Sequence, residues 1–228
     1  MQSLRRAMGV AHALHTRVVL GRLTVLARLR RSSVELDVAP DLRLGRRVRF
    51  NVQPGSRNRV RIGPGSSIAD DVMIHLKGGT LDWGPRTEVR RGTVFNVAGT
   101  LRLEGRNIIA YGNVIHCATS ISMGECASTN EYVSIIDSTH HHDGESDFFY
   151  ENTTAAPITI GANVWICNKA SVLMGTTIGA NSVVASHSVV NRDVPEATVV
   201  GGLPAKVIAS RAVDGGALRF ATDRSSAV

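Results

Sequence analysis

Aliphatic residues recur every six positions along most of this chain. Ile160, Ile166, Val172, Ile178, Val184 and Val190 form one unbroken series, and Leu103, Ile109, Ile115, Ile121, Ala127 and Val133 form another. A shorter run, Ile62, Ile68 and Ile74, precedes them. A small residue, often glycine, follows the aliphatic position, as in IGPGSS, IGANVW and IGANSV. This period is neither the 2 of a strand nor the 3.6 of a helix. A fixed period sustained this long marks a repeat architecture, in which stacked units bury one continuous core. Six residues suit one short strand and a corner, so three faces close a triangular coil of eighteen residues. In that coil Ile160 stacks on Ile178, Ile166 on Val184 and Val172 on Val190. Each buried aliphatic contributes on the order of 1.5–3 kcal/mol. The predicted class is an all-β solenoid of short parallel strands.

Two stretches break the pattern. Residues 1–31 alternate arginine with Leu, Val, Ala and Met, and Val18, Val19, Leu20, Leu23, Val25, Leu26 and Leu29 recur at helical spacings. A basic amphipathic helix is predicted there. Two roles are open to it: a cap on the open end of the solenoid, or a helix lying on an anionic membrane surface. The second break falls after Val133. The next series starts at Ile160, 27 positions on, which is not a multiple of six. A polar loop near 138–157 is therefore thrown out of the coil. It carries His140, His141, His142, Asp143, Glu145, Asp147, Glu151 and Asn152 around an aromatic trio, Phe148, Phe149 and Tyr150. Long loops on a rigid scaffold are where function concentrates. The trio is suited to packing against a neighbouring subunit.

Composition agrees with this picture. The 228 residues are 43% hydrophobic but only 4% aromatic, so Val, Ile and Ala fill the core, and 22 glycines supply turns. The net charge of +7 raises nucleic-acid binding as a function. No acidic residue precedes Glu35, so the excess is largely that of the N-terminal segment, and no nucleic-acid-binding motif accompanies it. No nucleic-acid partner is expected. Three cysteines, Cys117, Cys126 and Cys167, match no zinc spacing and no disulfide framework. A reducing cytoplasm is the expected location, with contact at the inner face of the plasma membrane through residues 1–31 as a candidate addition. No apolar run is long enough to span a bilayer, and arginines interrupt any signal-peptide pattern.

The stretch PITIGANVWICNKASVLMGTTIGANSVVASHSVVNRDVPEATVVGGLPAKVI, and above all its ending DVPEATVVGGLPAKVI (residues 193–208), resembles the hexapeptide-repeat acyltransferases. The resemblance covers residues 41–211. It implies a left-handed parallel β-helix, although the general rule for crossovers would give the opposite hand. The expected organisation is a basic N-terminal segment over 1–40, the β-helix over 41–211 and a tail over 212–228. With the histidine loop, the resemblance narrows to the sugar and small-molecule O-acetyltransferases. They transfer acetyl from acetyl-CoA to a hydroxyl, and a homotrimer is implied because one subunit's groove needs its neighbour's wall.

Such a transfer needs a general base, because an alcohol is a weak nucleophile near neutral pH and histidine titrates near the working range. No covalent enzyme intermediate is required if donor and acceptor bind together. The resemblance places the base three residues after a polar position that is often aspartate. Asp137 followed by Ser138, Thr139 and His140 fits, so His140 is the candidate base. His142 is a candidate for the acceptor side of the site, and His141 is read as a bystander. Asp137 or Glu125 is left to fix the imidazole. For the donor, the resemblance implies that Trp165 lines the pantetheine groove, with Asn168 beside it. Ala185 and Ser186 stand where a main-chain contact is expected. Arg192 and Lys206, with Arg211 as a further candidate, are cations suited to phosphate. For the acceptor it implies Asn113, with His116 nearby. The N-terminus departs from the galactoside and maltose enzymes, which carry an acidic helical pair there. A lipid-linked or polymeric sugar therefore fits better than a free disaccharide.

Two other functions are weighed. Some left-handed β-helix proteins are zinc-dependent carbonic anhydrases, and His75, His116 and His140 or His142 are the histidines available for that role. Their spacing does not match that pattern and the C-terminal motif is that of the acyltransferases, so no metal is expected. The remaining alternative is a non-catalytic β-helix assembly module.

Overall fold

The computed structural model describes residues 2–141 and 153–211, with side chains from Ala13 onward. One helix, α1 (Gln2–Leu29), is followed by a parallel β-solenoid matching the left-handed β-helix. Short strands stack into three faces of seven, nine and seven strands. Within each face, equivalent strands of successive coils pair in parallel. Inward positions hold the aliphatics of the six-residue series. Ile109, Ile115, Ile121, Ile166, Val172 and Ile178 are all fully buried.

The stacking expected of the last series is present: Ile160 lies opposite Ile178, Ile166 opposite Val184 and Val172 opposite Val190. The eighteen-residue coil does not extend upstream. Leu101 stacks on Ile121, Ile109 on Thr129 and Ile115 on Ile135, so these coils run twenty residues. Earlier ones run twenty-one and twenty-four, as Ile74 to Phe95 and Phe50 to Ile74 show. The reason is local. On the first face Thr80–Trp83, Thr100–Leu103 and Ser120–Met123 have four residues each and turn two side chains inward, as Leu101 with Leu103 and Ile121 with Met123 show. The second inward residue puts Leu103 in phase with Ile109, so a six-residue series appears although the coil is longer.

Corners use two devices. The second corner residue is often left-handed, at a glycine such as Gly92 (φ 74°) or an asparagine such as Asn181 (φ 60°). Buried polar side chains then bind the corner carbonyls. Asn107 donates to Gly124 O and Ala127 O, both at 2.8 Å. Glycines after the aliphatic position let coils approach: a Cβ on Gly161 would stand 2.5 Å from Ala180 N.

The solenoid begins at Ser33, not at residue 41. Ser33–Val38 pairs with Arg57–Ile62 as the first rung of its face. This rung escapes the six-residue pattern because its inward side chains, Val34, Leu36 and Val38, are only partly buried and alternate with Glu35 and Asp37. Helix α1 packs on this end. Thr16, Leu23 and Ala27 are buried, and Thr16 Oγ1 donates to Leu42 O at 3.1 Å. His15 Nε2 lies 3.0 Å from Gly45 O. The capping role read from the sequence is thus realised. The tail over 212–228 lies outside the described residues.

Candidate active site

The coil is interrupted after Ile136. Ile135 stacks on Val172, 37 positions later, where neighbouring coils need twenty or eighteen. The excess leaves the solenoid as an arm whose base is an antiparallel pair, Ser138–His140 with Thr153–Ala155. Asp137 fixes the exit. It is fully buried, and its carboxylate accepts three backbone N–H bonds from the preceding coil. These come from Ala118 at 2.6 Å, Thr119 at 2.8 Å and Ser120 at 2.9 Å. Its backbone is also held, since Asp137 N donates to His116 O and Ala156 N donates to Asp137 O. Asp137 is therefore an anchor of the arm.

On the arm, side chains alternate between two faces. Thr139 pairs with Thr154, and Thr154 Oγ1 meets His141 Nε2 at 2.6 Å, so Thr139 and His141 share one face. The alternation puts His140 on the other, with Ser138. His140 is exposed. Ser138 lines a cleft of about 140 Å³ together with Lys77, Asn96, Ala98, His116, Cys117 and Ala118. Two columns on one outer face build it. His75, Asn96, His116 and Ile136 lie on successive rungs. One corner further on come Lys77 and Ala98, then Ala118 and Ser138.

Burial, then Lys77 and His75, hold the His116 imidazole below its ordinary value, against a smaller opposite pull from Asp137. His75 is lowered by burial and then by Lys77. Burial pushes the Cys117 thiol up to about 12, so it is no thiolate nucleophile.

Sequence reasoning placed His116 at this site but missed Lys77, Asn96 and Ser138. An eighteen-residue coil sets position 98 beneath His116. The true twenty-residue offset sets Asn96 there, and the spacing Leu101–Leu103 was the available signal. Asn113 is a correction. It is fully buried and its amide donates to Ala110 O at 2.8 Å and Asn130 O at 3.0 Å, so it braces a corner and cannot meet an acceptor. Glu125 is likewise committed, accepting from Arg106 Nε at 2.8 Å. His142 and the aromatic trio lie outside the described residues. His75 and His116 stand two rungs apart on this face, with Asn96 between them. Among the described residues no group of three or more His, Cys, Asp or Glu side chains is arranged to hold a metal.

The donor-side residues fall on the later coils. Trp165 is 42% exposed on the second face, its Nε1 donating to Asn130 Oδ1 at 3.0 Å. Asn168 and Ser186 occupy equivalent corners of consecutive coils and are joined by a 2.5 Å hydrogen bond from Ser186 Oγ to Asn168 Oδ1. Ala185 N donates to Val200 O across the coils. Lys206 returns alongside on the antiparallel strand Lys206–Ser210, opposite Gly201. Arg192 is exposed on the turn after Val189–Val190. The Arg211 guanidinium donates to Asn163 O at 2.8 Å, just after the C-terminal strand.

The chain is 31% identical over 135 residues to a putative lipopolysaccharide biosynthesis O-acetyl transferase of Escherichia coli, WbbJ, a match covering 51% of this chain and 69% of that protein. The chain belongs to the hexapeptide-repeat acyltransferase superfamily. Another member, a probable acetyltransferase of Mycobacterium tuberculosis, is 32% identical over 122 residues, 53% of this chain. The match spans 41% of that relative's length. The galactoside O-acetyltransferase of Escherichia coli is 48% identical over 52 residues, 23% of this chain and 26% of that protein. No protein-family model matches the chain. Among solved structures, the polysialic acid O-acetyltransferase OatWY superposes with a TM-score of 0.60 at 21% identity, covering 84% of this chain and 94% of its own. The N-acyltransferase AntD from Bacillus cereus, in complex with coenzyme A and a nucleotide sugar, gives 0.58 at 15% identity over 66% of this chain and 83% of its own. Both show the hexapeptide-repeat acyltransferase fold.

Proposed function

We propose that this protein transfers an acetyl group from acetyl-CoA to a hydroxyl of a carbohydrate or glycoconjugate, with His140 as general base in a ternary complex. The observation that carries this reading is the placement of His140. It stands at the base of an arm anchored by Asp137, on the same strand face as Ser138 and beside a polar cleft. In the reaction His140 takes the hydroxyl proton as the oxygen attacks the thioester carbonyl. The C–S bond then breaks and CoA leaves as the thiol, taking up a proton. Trp165, Asn168, Ala185 and Ser186 receive the pantetheine arm, and Arg192 and Lys206 supply cations for the phosphates of the donor. His116 faces the acceptor. Relatives named as lipopolysaccharide and galactoside O-acetyltransferases support a sugar acceptor. The test is CoA thiol release with a panel of sugars. His140→Ala is expected to lower turnover by about 10²–10⁴-fold. Unchanged turnover in that variant would remove His140 from the mechanism.

Assembly as a homotrimer is part of the same reading. Ile108, Tyr111 and Tyr132 leave apolar surface exposed along one edge, with Tyr132 63% exposed, and this favours self-association. Sedimentation would check the stoichiometry.

A peripheral membrane contact is a second element of the proposal. No helix among the described residues is long and apolar enough to cross a membrane. The outward face of α1 nevertheless carries Leu14, Val18, Val25 and Leu29, the last 78% exposed, and exposed Arg17, Arg22 and Arg28 stand beside them. An apolar stripe flanked by cations is the pattern of a helix lying on anionic lipid.

A further inference from the structure

The cleft between Lys77 and Ser138 is small and open, and its lining is rich in hydrogen-bond donors. Lys77 brings an ammonium, Asn96 an amide, Ser138 a hydroxyl and His116 a ring N–H. Arginines elsewhere on the outer faces are bound to carboxylates: Arg59 to Glu35, Arg47 to Asp71 and Arg106 to Glu125. Lys77 has no carboxylate within 4.0 Å among the described residues. The nearby negative charge, Asp137, is turned into the interior, where three backbone N–H groups take up its oxygens. What remains in the cleft is a cation with neutral donors arranged around a volume of about 140 Å³. That fits a carboxylate or a phosphate, whose two or three oxygens can accept from all four groups together.

Its position gives this fit a consequence. Ser138 and His140 lie two residues apart on one strand face, roughly 6.6 Å. An acid held beside Ser138 would leave a neighbouring hydroxyl of the same ring within reach of His140. We infer that the Lys77–Asn96–His116–Ser138 cleft anchors an acidic group of the acceptor, and that the substrate is an acidic saccharide, carboxylated or phosphorylated. The inference rests on the acetyltransferase reading above and specifies its acceptor.

The test does not require turnover. Histidine side-chain NMR of the full chain is recorded during titration with glucuronate, glucose 6-phosphate and glucose. Saturable shifts of the His116 resonances are expected with one or both acidic sugars, absent with glucose and lost in Lys77→Gln. The two acidic probes decide between carboxylate and phosphate. Equal shifts with glucose, no shift with either acid, or shifts that survive Lys77→Gln overturn the inference. In turnover, Lys77→Gln should raise KM for an acidic acceptor about tenfold or more while kcat holds. Acetyl transfer that depends on His140 but favours neutral sugars equally would refute the acidic acceptor and leave the enzymatic reading intact. Acid binding without CoA release from any acceptor would do the reverse.

Discussion

The carboxylate of Asp137 accepts the backbone N–H of Ala118 at 2.6 Å, across the gap between the last full coil before the arm and the coil that precedes it. This bond and its two companions tie the exit of the arm to the solenoid wall. Asp137→Ala leaves three part-buried backbone N–H groups without that acceptor. A loss of about 2–4 kcal/mol is expected, read as a lowered midpoint in chemical denaturation. Because the arm is positioned through Asp137, kcat should fall in the same variant under conditions where it remains folded. A full-strength kcat in folded Asp137→Ala would mean that the arm is held by other contacts.

The two lowered histidines make stability depend on pH. Burial disfavours the protonated form of His116 and of His75, so the folded pKa lies below the unfolded one. Between those values the unfolded chain binds more protons, so stability rises with pH. The contribution is fully present above about 6.5 and is lost as pH drops through the folded pKa. The melting temperature should therefore decline as pH is lowered from about 7.5 to about 5.5. The decline should shrink in the double variant His75→Asn/His116→Asn. An identical pH profile in that variant would assign the effect to other groups.

Two glycines should respond oppositely to alanine. At Gly161 the new Cβ meets Ala180 N at 2.5 Å, a backbone atom of the next coil that cannot move aside alone. Gly161→Ala should cost about 1–3 kcal/mol or more. Gly21 lies inside α1 with nothing within 4 Å of its Cβ position, and Gly21→Ala should stabilise by about 0.5–1 kcal/mol. Denaturation midpoints of the two variants check both signs.

On the donor side, Arg192→Ala and Lys206→Ala should each raise KM for acetyl-CoA several-fold. The effect should be weaker with a donor truncated to its pantetheine thioester, which lacks the nucleotide phosphates. Equal losses with both donors would place the two cations elsewhere.

The outward face of α1 predicts sedimentation of the full chain with phosphatidylserine vesicles. Val18→Glu together with Val25→Glu should abolish it, because both positions are exposed on the apolar stripe. Wild-type protein that stays in the supernatant would exclude this surface as a lipid contact.

The fold was legible because the aliphatic period is the solenoid's own: each inward residue of the last coils could be named with its stacking partner. Coil length was less legible, since a second inward residue such as Leu103 or Met123 hides two extra positions inside an apparently constant period. That error carried into the site. His140 and His116 stand out in the sequence because histidine declares its chemistry, but Asn96 and Lys77 join His116 in the cleft only through the correct register. Asn113 shows the converse. As a polar residue near a candidate base it invites a binding role, and only burial shows that its amide serves two backbone carbonyls. The first rung, Ser33–Val38, was missed because half-buried Val and Leu between charges look like a surface linker.

The capping of the two ends has its own consequence. A stack of parallel strands ends, by its nature, in rows of unpaired N–H and C=O groups that a second molecule can extend. Here helix α1 lies over one end, and at the other the chain reverses into the antiparallel pair Thr198–Gly201 and Lys206–Ser210. Stripped of the helix, the protein would offer Ser33–Val38 as a ready template, and its failure would take the form of fibres growing end to end.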